Sequence, residues 1–164
     1  MKQFVKALVE LLEEVHVGPP DPRSTWMTTN EADAGFLGTL SAIPPQTASR
    51  APAPGMNTIA AHTEHLRFSL SLANRAFRGE NPYANADWAG SWRTQIVDAV
   101  EWDRLRGALR QEHEQLLVAI RNHDAWNDPM LLQGSLALIG HAAYHLGAIR
   151  QISRLLGSSG GTEV

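Results

Sequence analysis

The chain of 164 residues contains no cysteine. That excludes disulfides, thiolate metal ligands and cysteine nucleophiles together. Proline is scarce in the later sequence: seven of the nine lie between Pro19 and Pro54, and only Pro82 and Pro129 follow. The later part is free to form long helices, while the earlier part must be broken. No stretch approaches the roughly 18 apolar residues of a membrane span. Nor is there a basic excess: 14 Lys and Arg stand against 17 Asp and Glu, for a formal charge of −3. No nucleic-acid surface is implied. The start, MKQFVKALVELLEEVHV, does not read as a signal peptide, because Glu10, Glu13 and Glu14 interrupt it and no small-residue cleavage site follows. The expectation is a cytoplasmic protein with neither nucleic acid nor membrane as partner.

What is present points to helices. The hydrophobic fraction of 43% suits one domain, residues 1–157, with 158–164 as a frayed tail. Phe4, Leu8, Leu11, Leu12 and Val15 recur at helical spacing, which predicts a helix over 2–15. A short helix over 31–42 would turn Phe36, Leu37 and Leu40 inward, and PPQTASRAPAPG connects onward. The second long helix spans 57–77, capped by Asn57 or Thr58 and stopped by Gly79 and Pro82. A loop rich in Gly, Asn and Trp covers 79–97. Asp98 and Glu101 then form a capping box, with Val97 and Trp102 as a hydrophobic staple. Leu105, Leu109, Leu116 and Ile120 give that third long helix an apolar face. The fourth starts at Asp128-Pro129 and ends near Leu156, with Gly157 as its stop. The fold expected is an all-α antiparallel bundle.

Seven histidines stand at 16, 62, 65, 113, 123, 141 and 145. On a wheel of about 100° per residue, Leu131, Leu138, Ile149, Ile152 and Leu156 form one stripe. His145 lies inside that stripe and His141 beside it. Their i, i+4 spacing lets both rings reach one ion. A facing helix should supply a third ligand, and the second long helix offers His62 and His65; periodicity does not choose between them. Glu112 falls in the third helix's apolar stripe, where a carboxylate is rare unless paired. It can accept from a ligand, act as a base, or pair with an arginine such as Arg67; the ion pair or an outward bend is favoured. His113, at the edge of that face, is expected at the surface. His16 and His123 are expected in solvent at helix ends. Tyr144 points about 100° away from His145 and reads as a packing residue, and the tryptophans read as covers for the bundle ends.

Two segments, NTIAAHTEHLRFSL and GHAAYHLGAIRQI, are similar to the DinB-like (YfiT-like) superfamily of metal-binding four-helix bundles. The resemblance covers about residues 34–156 and is weakest around 80–97 and in the third helix. It makes residues 1–30, with their helix, an addition to the usual core. It implies a divalent ion, zinc or nickel, held by His65, His141 and His145, with His62 as a neighbour. Ala148 stands where the family often has glutamine, and His62 is an extra imidazole. The family includes thiol-dependent S-transferases, an isomerase using a thiol cofactor and proteins described as metal-dependent hydrolases. The implied function is therefore a metal-dependent S-transferase or hydrolase acting on a small-molecule substrate, with a low-molecular-weight thiol as a candidate co-substrate. The alternative is a non-enzymatic, stress-associated metal-binding module. A bundle that holds no metal is the third reading. Family analogy and the N-terminal amphipathic helix favour a homodimer.

Overall fold

The computed structural model describes residues 2–158, and every regular element among them is helical. The elements are α1 (Lys2–His16), α2 (Phe36–Ser41), α3 (Pro45–Ala48), α4 (Ile59–Phe77), α5 (Ala99–Arg121) and α6 (Pro129–Ser158), with a 3₁₀ turn at Gly90–Trp92 between α4 and α5. The local signals that place the long helices are realised in their caps. Thr58 Oγ1 accepts the Ala61 N–H at 3.2 Å and opens α4. Asp98 Oδ1 accepts from Glu101 N at 2.8 Å while Glu101 Oε2 accepts from Asp98 N at 3.0 Å, closing the capping box of α5. Asp128 Oδ1 accepts from Met130 N at 2.9 Å, ahead of Pro129 at the first helical position of α6. α6 runs through Gly157 to Ser158 instead of stopping at the glycine, and 159–164 of the expected tail lie outside the described residues.

The four long helices enclose the core. α4 packs against α5 and α6, and α1 packs against the same two from the other side. Leu12, Phe36, Leu40, Ile59, Leu66, Leu109, Leu116 and Ile120 are fully buried between them. Trp102 is buried too, and its Nε1 donates to the Ile43 carbonyl at 2.8 Å, fixing the connection after α2. Thus α1, which the resemblance sets apart as an addition, contributes Leu8, Leu12 and Val15 to the common core. No helix among the described residues is long and apolar enough to cross a membrane.

The end of α1 is held by its own sequence. Gly18 has φ +154°, and a Cβ there would meet the Ala32 carbonyl oxygen at 1.9 Å, so only glycine lets the two strands of chain cross. Glu14, only 2% exposed, aims its Oε1 at three successive amides, those of Trp26, Met27 and Thr28, at 2.7–2.9 Å, and at the Thr28 hydroxyl at 3.1 Å. Burial alone would raise the carboxyl pKa, but these hydrogen bonds outweigh it and hold the group below its ordinary value. Removing the carboxylate strands several amides at once. Glu14→Ala should cost about 3 kcal/mol of unfolding free energy at pH 7, read by urea denaturation. A loss under about 1 kcal/mol would show that water replaces the carboxylate freely.

Candidate metal centre

α4 and α6 face each other, and each presents two histidines to the other. His65 and His145 are buried; His62 and His141 are half-buried. The Nε2 atoms of three rings converge: His145 to His141 at 3.0 Å, and His141 to His65 at 3.2 Å. Ligand atoms of these three all lie within 4.8 Å of one another, the sole such cluster among the described residues. With metal–nitrogen bonds of about 2.0–2.1 Å, two ligand nitrogens on a tetrahedral ion stand about 3.3–3.4 Å apart, and cis nitrogens on an octahedral ion about 2.9 Å. The observed separations fall between these values.

The proton inventory favours the same reading. Ser91 Oγ lies 2.7 Å from the Trp88 carbonyl, which can only accept, so the hydroxyl hydrogen is directed there. Ser91 Oγ also lies 2.7 Å from His65 Nδ1 and must therefore accept that N–H. His65 Nε2 is left with its lone pair facing His141. For both Nε2 contacts of His141 to be hydrogen bonds, one N–H would have to serve His65 and His145 together. A cation at the centre accepts all three lone pairs without conflict. Burial first, then the neighbouring imidazoles His141 and His62, lowers the His65 pKa to about 4. The same causes, with His65 added, lower His145 to about 3. Burial also lowers His62 and His141. Near neutral pH the rings are thus uncharged, as ligands must be.

His62 does not join the convergent three. Its Nδ1 lies 2.9 Å from Nδ1 of His145, on the side of that ring turned away from the cluster. Glu112 lies elsewhere, at the α4–α5 contact. It accepts from Asn74 Nδ2 at 2.7 Å and lies 3.9 Å from Arg67, whose guanidinium is clasped more closely by Glu64 at 2.7 Å.

Two groups around the centre escape sequence reasoning. The first is the turn carrying Trp88, Ser91 and Trp92. The Trp92 ring stacks on His65 with centroids 4.1 Å apart and an interplanar angle of 19°, and presents an edge to His62 at 5.2 Å. Trp88 packs edge-on against Phe68 at 5.5 Å. These two tryptophans therefore wall the histidine cluster, where the sequence expectation made tryptophans covers for the bundle ends. Irregular loops carry no periodic signal, so nothing in the sequence aims them there.

The second is a pair of histidines expected in solvent. His16 is 0% and His113 2% exposed, and their rings stack at 4.4 Å and 18°. Gly35 lies so close to the end of α1 that a Cβ would meet the carbonyl carbon of His16 at 2.5 Å, so the chain crosses over His16 and shuts it in. His16 Nδ1 donates to the Leu12 carbonyl at 2.9 Å, while His16 Nε2 and both ring nitrogens of His113 have no hydrogen-bond partner. His123 is half-buried, with its ring edge-on to Phe77 and Trp126. Tyr144 is 70% exposed and packs no helix interface, so its expected packing role is corrected. Its ring lies edge-on beside that of His145, with centroids 5.1 Å apart.

A family model described as the DinB superfamily matches residues 28–149, about three quarters of the chain and all of the histidine cluster. α1 precedes the matched region. No curated protein and no solved structure matches the chain.

Proposed function

The chain belongs to the DinB superfamily, and from that membership together with its three converging imidazoles we propose that it is a divalent-metal protein whose ion is held by His65, His141 and His145. The observation that carries the reading is the meeting of three Nε2 atoms, from two helices, at separations suited to a single ion. Zinc or nickel is the proposed occupant, since neutral imidazole suits both. Three protein nitrogens leave coordination positions open, the pattern of catalytic rather than structural sites. An ion so held supplies Lewis acidity towards water or a low-molecular-weight thiol. The protein's own contribution is to keep three rings uncharged and aimed, and to wall one side with Trp92. The reaction proposed is thiol S-transfer or hydrolysis on a small electrophilic substrate. The homodimeric state and cytoplasmic location expected from the sequence belong to the same proposal.

Metal analysis of protein purified without a histidine tag should find about one ion per chain. Less than about a tenth of that, even after zinc or nickel is supplied, would overturn the reading. Turnover is then sought by offering electrophiles with several small thiols, and simple esters and amides with water. Reaction dependent on the bound ion supports the enzyme. A loaded protein that turns over none of them supports the second reading, a metal-binding module in which the ion fixes the geometry of α4 and α6.

A further inference from the structure

We infer that Ser91 is a positioning residue for the metal: it dictates which nitrogen of His65 faces the ion and couples the Trp88–Trp92 turn to ion binding. The inference rests on the metal reading above.

The argument starts from what a serine hydroxyl can do. It has one hydrogen and two lone pairs. Ser91 is buried, and its hydrogen is directed to the Trp88 carbonyl, three residues earlier in the same turn. Towards His65 it can then only accept. An imidazole donating from Nδ1 carries its lone pair on Nε2, the atom that meets His141. The contact between His145 and His62 has no such direction, because either imidazole can donate to the other. Of these two ligands, His65 is therefore the one whose orientation the protein dictates.

The turn is set independently of His65. Asp87 caps it, accepting the Gly90 amide on Oδ1 at 2.7 Å and the Ser91 amide on its backbone carbonyl at 3.1 Å. Gln95 fastens it to the start of α4, donating to the Trp92 carbonyl and to Asn57 Oδ1, each at 2.8 Å, and accepting from Thr58 N at 3.1 Å. Because Ser91 is held from both sides, it imposes its preference on the imidazole and does not simply follow it. The coupling runs both ways. An ion on Nε2 makes the Nδ1 hydrogen a stronger donor, which tightens the bond to Ser91. Trp92, stacked on the same ring, is the built-in reporter of that change.

The experiment titrates metal-free protein with zinc against a chelating dye, and with cobalt(II) while recording visible absorption and tryptophan fluorescence. Wild type should bind about one ion. Ser91→Ala should bind about 10–100-fold more weakly, with an altered cobalt spectrum and a smaller fluorescence response. Ser91→Thr and Ser91→Val have nearly the same shape and differ in the hydroxyl, so Thr should restore affinity and Val should not. That pair also carries the test if Ser91→Ala fails to fold. Equal affinity in all four proteins overturns the role of Ser91 and leaves the metal reading standing. Loss in Thr and Val alike shows that space, not the hydroxyl, matters, and also overturns it. A wild type that binds no ion overturns the metal reading first, and this inference with it.

Discussion

His145→Ala should keep its helices and lose its ion, with occupancy falling from about one per chain to below about a tenth. His145 is 2% exposed at the middle of α6, and its Nε2 stands 3.0 Å from that of His141. Deleting it leaves one nitrogen on each helix, too few to hold a divalent ion against water. The backbone should tolerate the change, because alanine is the strongest helix former and the imidazole removed is a poorly solvated group. Far-UV circular dichroism separates lost binding from lost folding. His62→Ala is the matched control. It removes no convergent nitrogen but takes away the partner 2.9 Å from His145 Nδ1. Affinity should weaken by about tenfold while the stoichiometry stays at about one. If His62→Ala proves the more damaging, His62 is a ligand and the assignment fails.

The second large effect is acid lability centred on the buried His16–His113 pair. Burial, partly offset by the Leu12 carbonyl and reinforced by His141, lowers the His16 pKa to about 4 from an ordinary 6.5. Burial, then His16, Arg110 and Arg121, lowers His113 to about 3. Both folded-state values lie below the unfolded one. From pH 6.5 downward the unfolded chain takes up protons that the folded chain refuses, so stability is full above 6.5 and falls as pH falls. Each unit of depression is worth about 1.4 kcal/mol. Between pH 7 and 4.5 the two rings together should remove on the order of 5 kcal/mol, a large share of a typical stability of about 5–15 kcal/mol. In metal-free protein the cluster histidines act in the same direction, so the pair is isolated by difference. His113→Leu takes away a buried ring with no hydrogen-bond partner and should be neutral or stabilising at pH 7. It should also return about half of the pair's acid loss. Urea denaturation at both pH values checks this. An acid loss in His113→Leu equal to that of wild type would mean that the pair opens to solvent before it titrates.

The residues readable in advance share one property: their signal lies within a single helix. Asp98 and Glu101 close a box because they are three residues apart, and Asp128-Pro129 opens α6 by the same local logic. His141 and His145 could be placed on one inward face because helical spacing alone does that. Glu112 could be flagged as a carboxylate on an apolar stripe and Arg67 named as its ion-pair partner, but the shorter hydrogen bond from Asn74 on the facing helix could not be read.

The sequence by itself therefore determined that this protein is helical, where its long helices begin, and that two imidazoles lie a turn apart on the inner side of α6. The family resemblance implied His65 with His62 as neighbour, but only the tertiary structure decided that His65 meets them through Nε2 while His62 stands behind His145, because that depends on how α4 is rotated against α6. It alone brought Ser91, 26 positions from His65, to the far side of the ring. It also buried His16 against His113, since α1 closes the bundle beside α5 and the chain crossing at Gly18 and Gly35 shuts out solvent. Helical periodicity says which way a side chain points from its own axis. What it meets there is set by the packing of elements distant in sequence, which leaves no periodic trace in the chain.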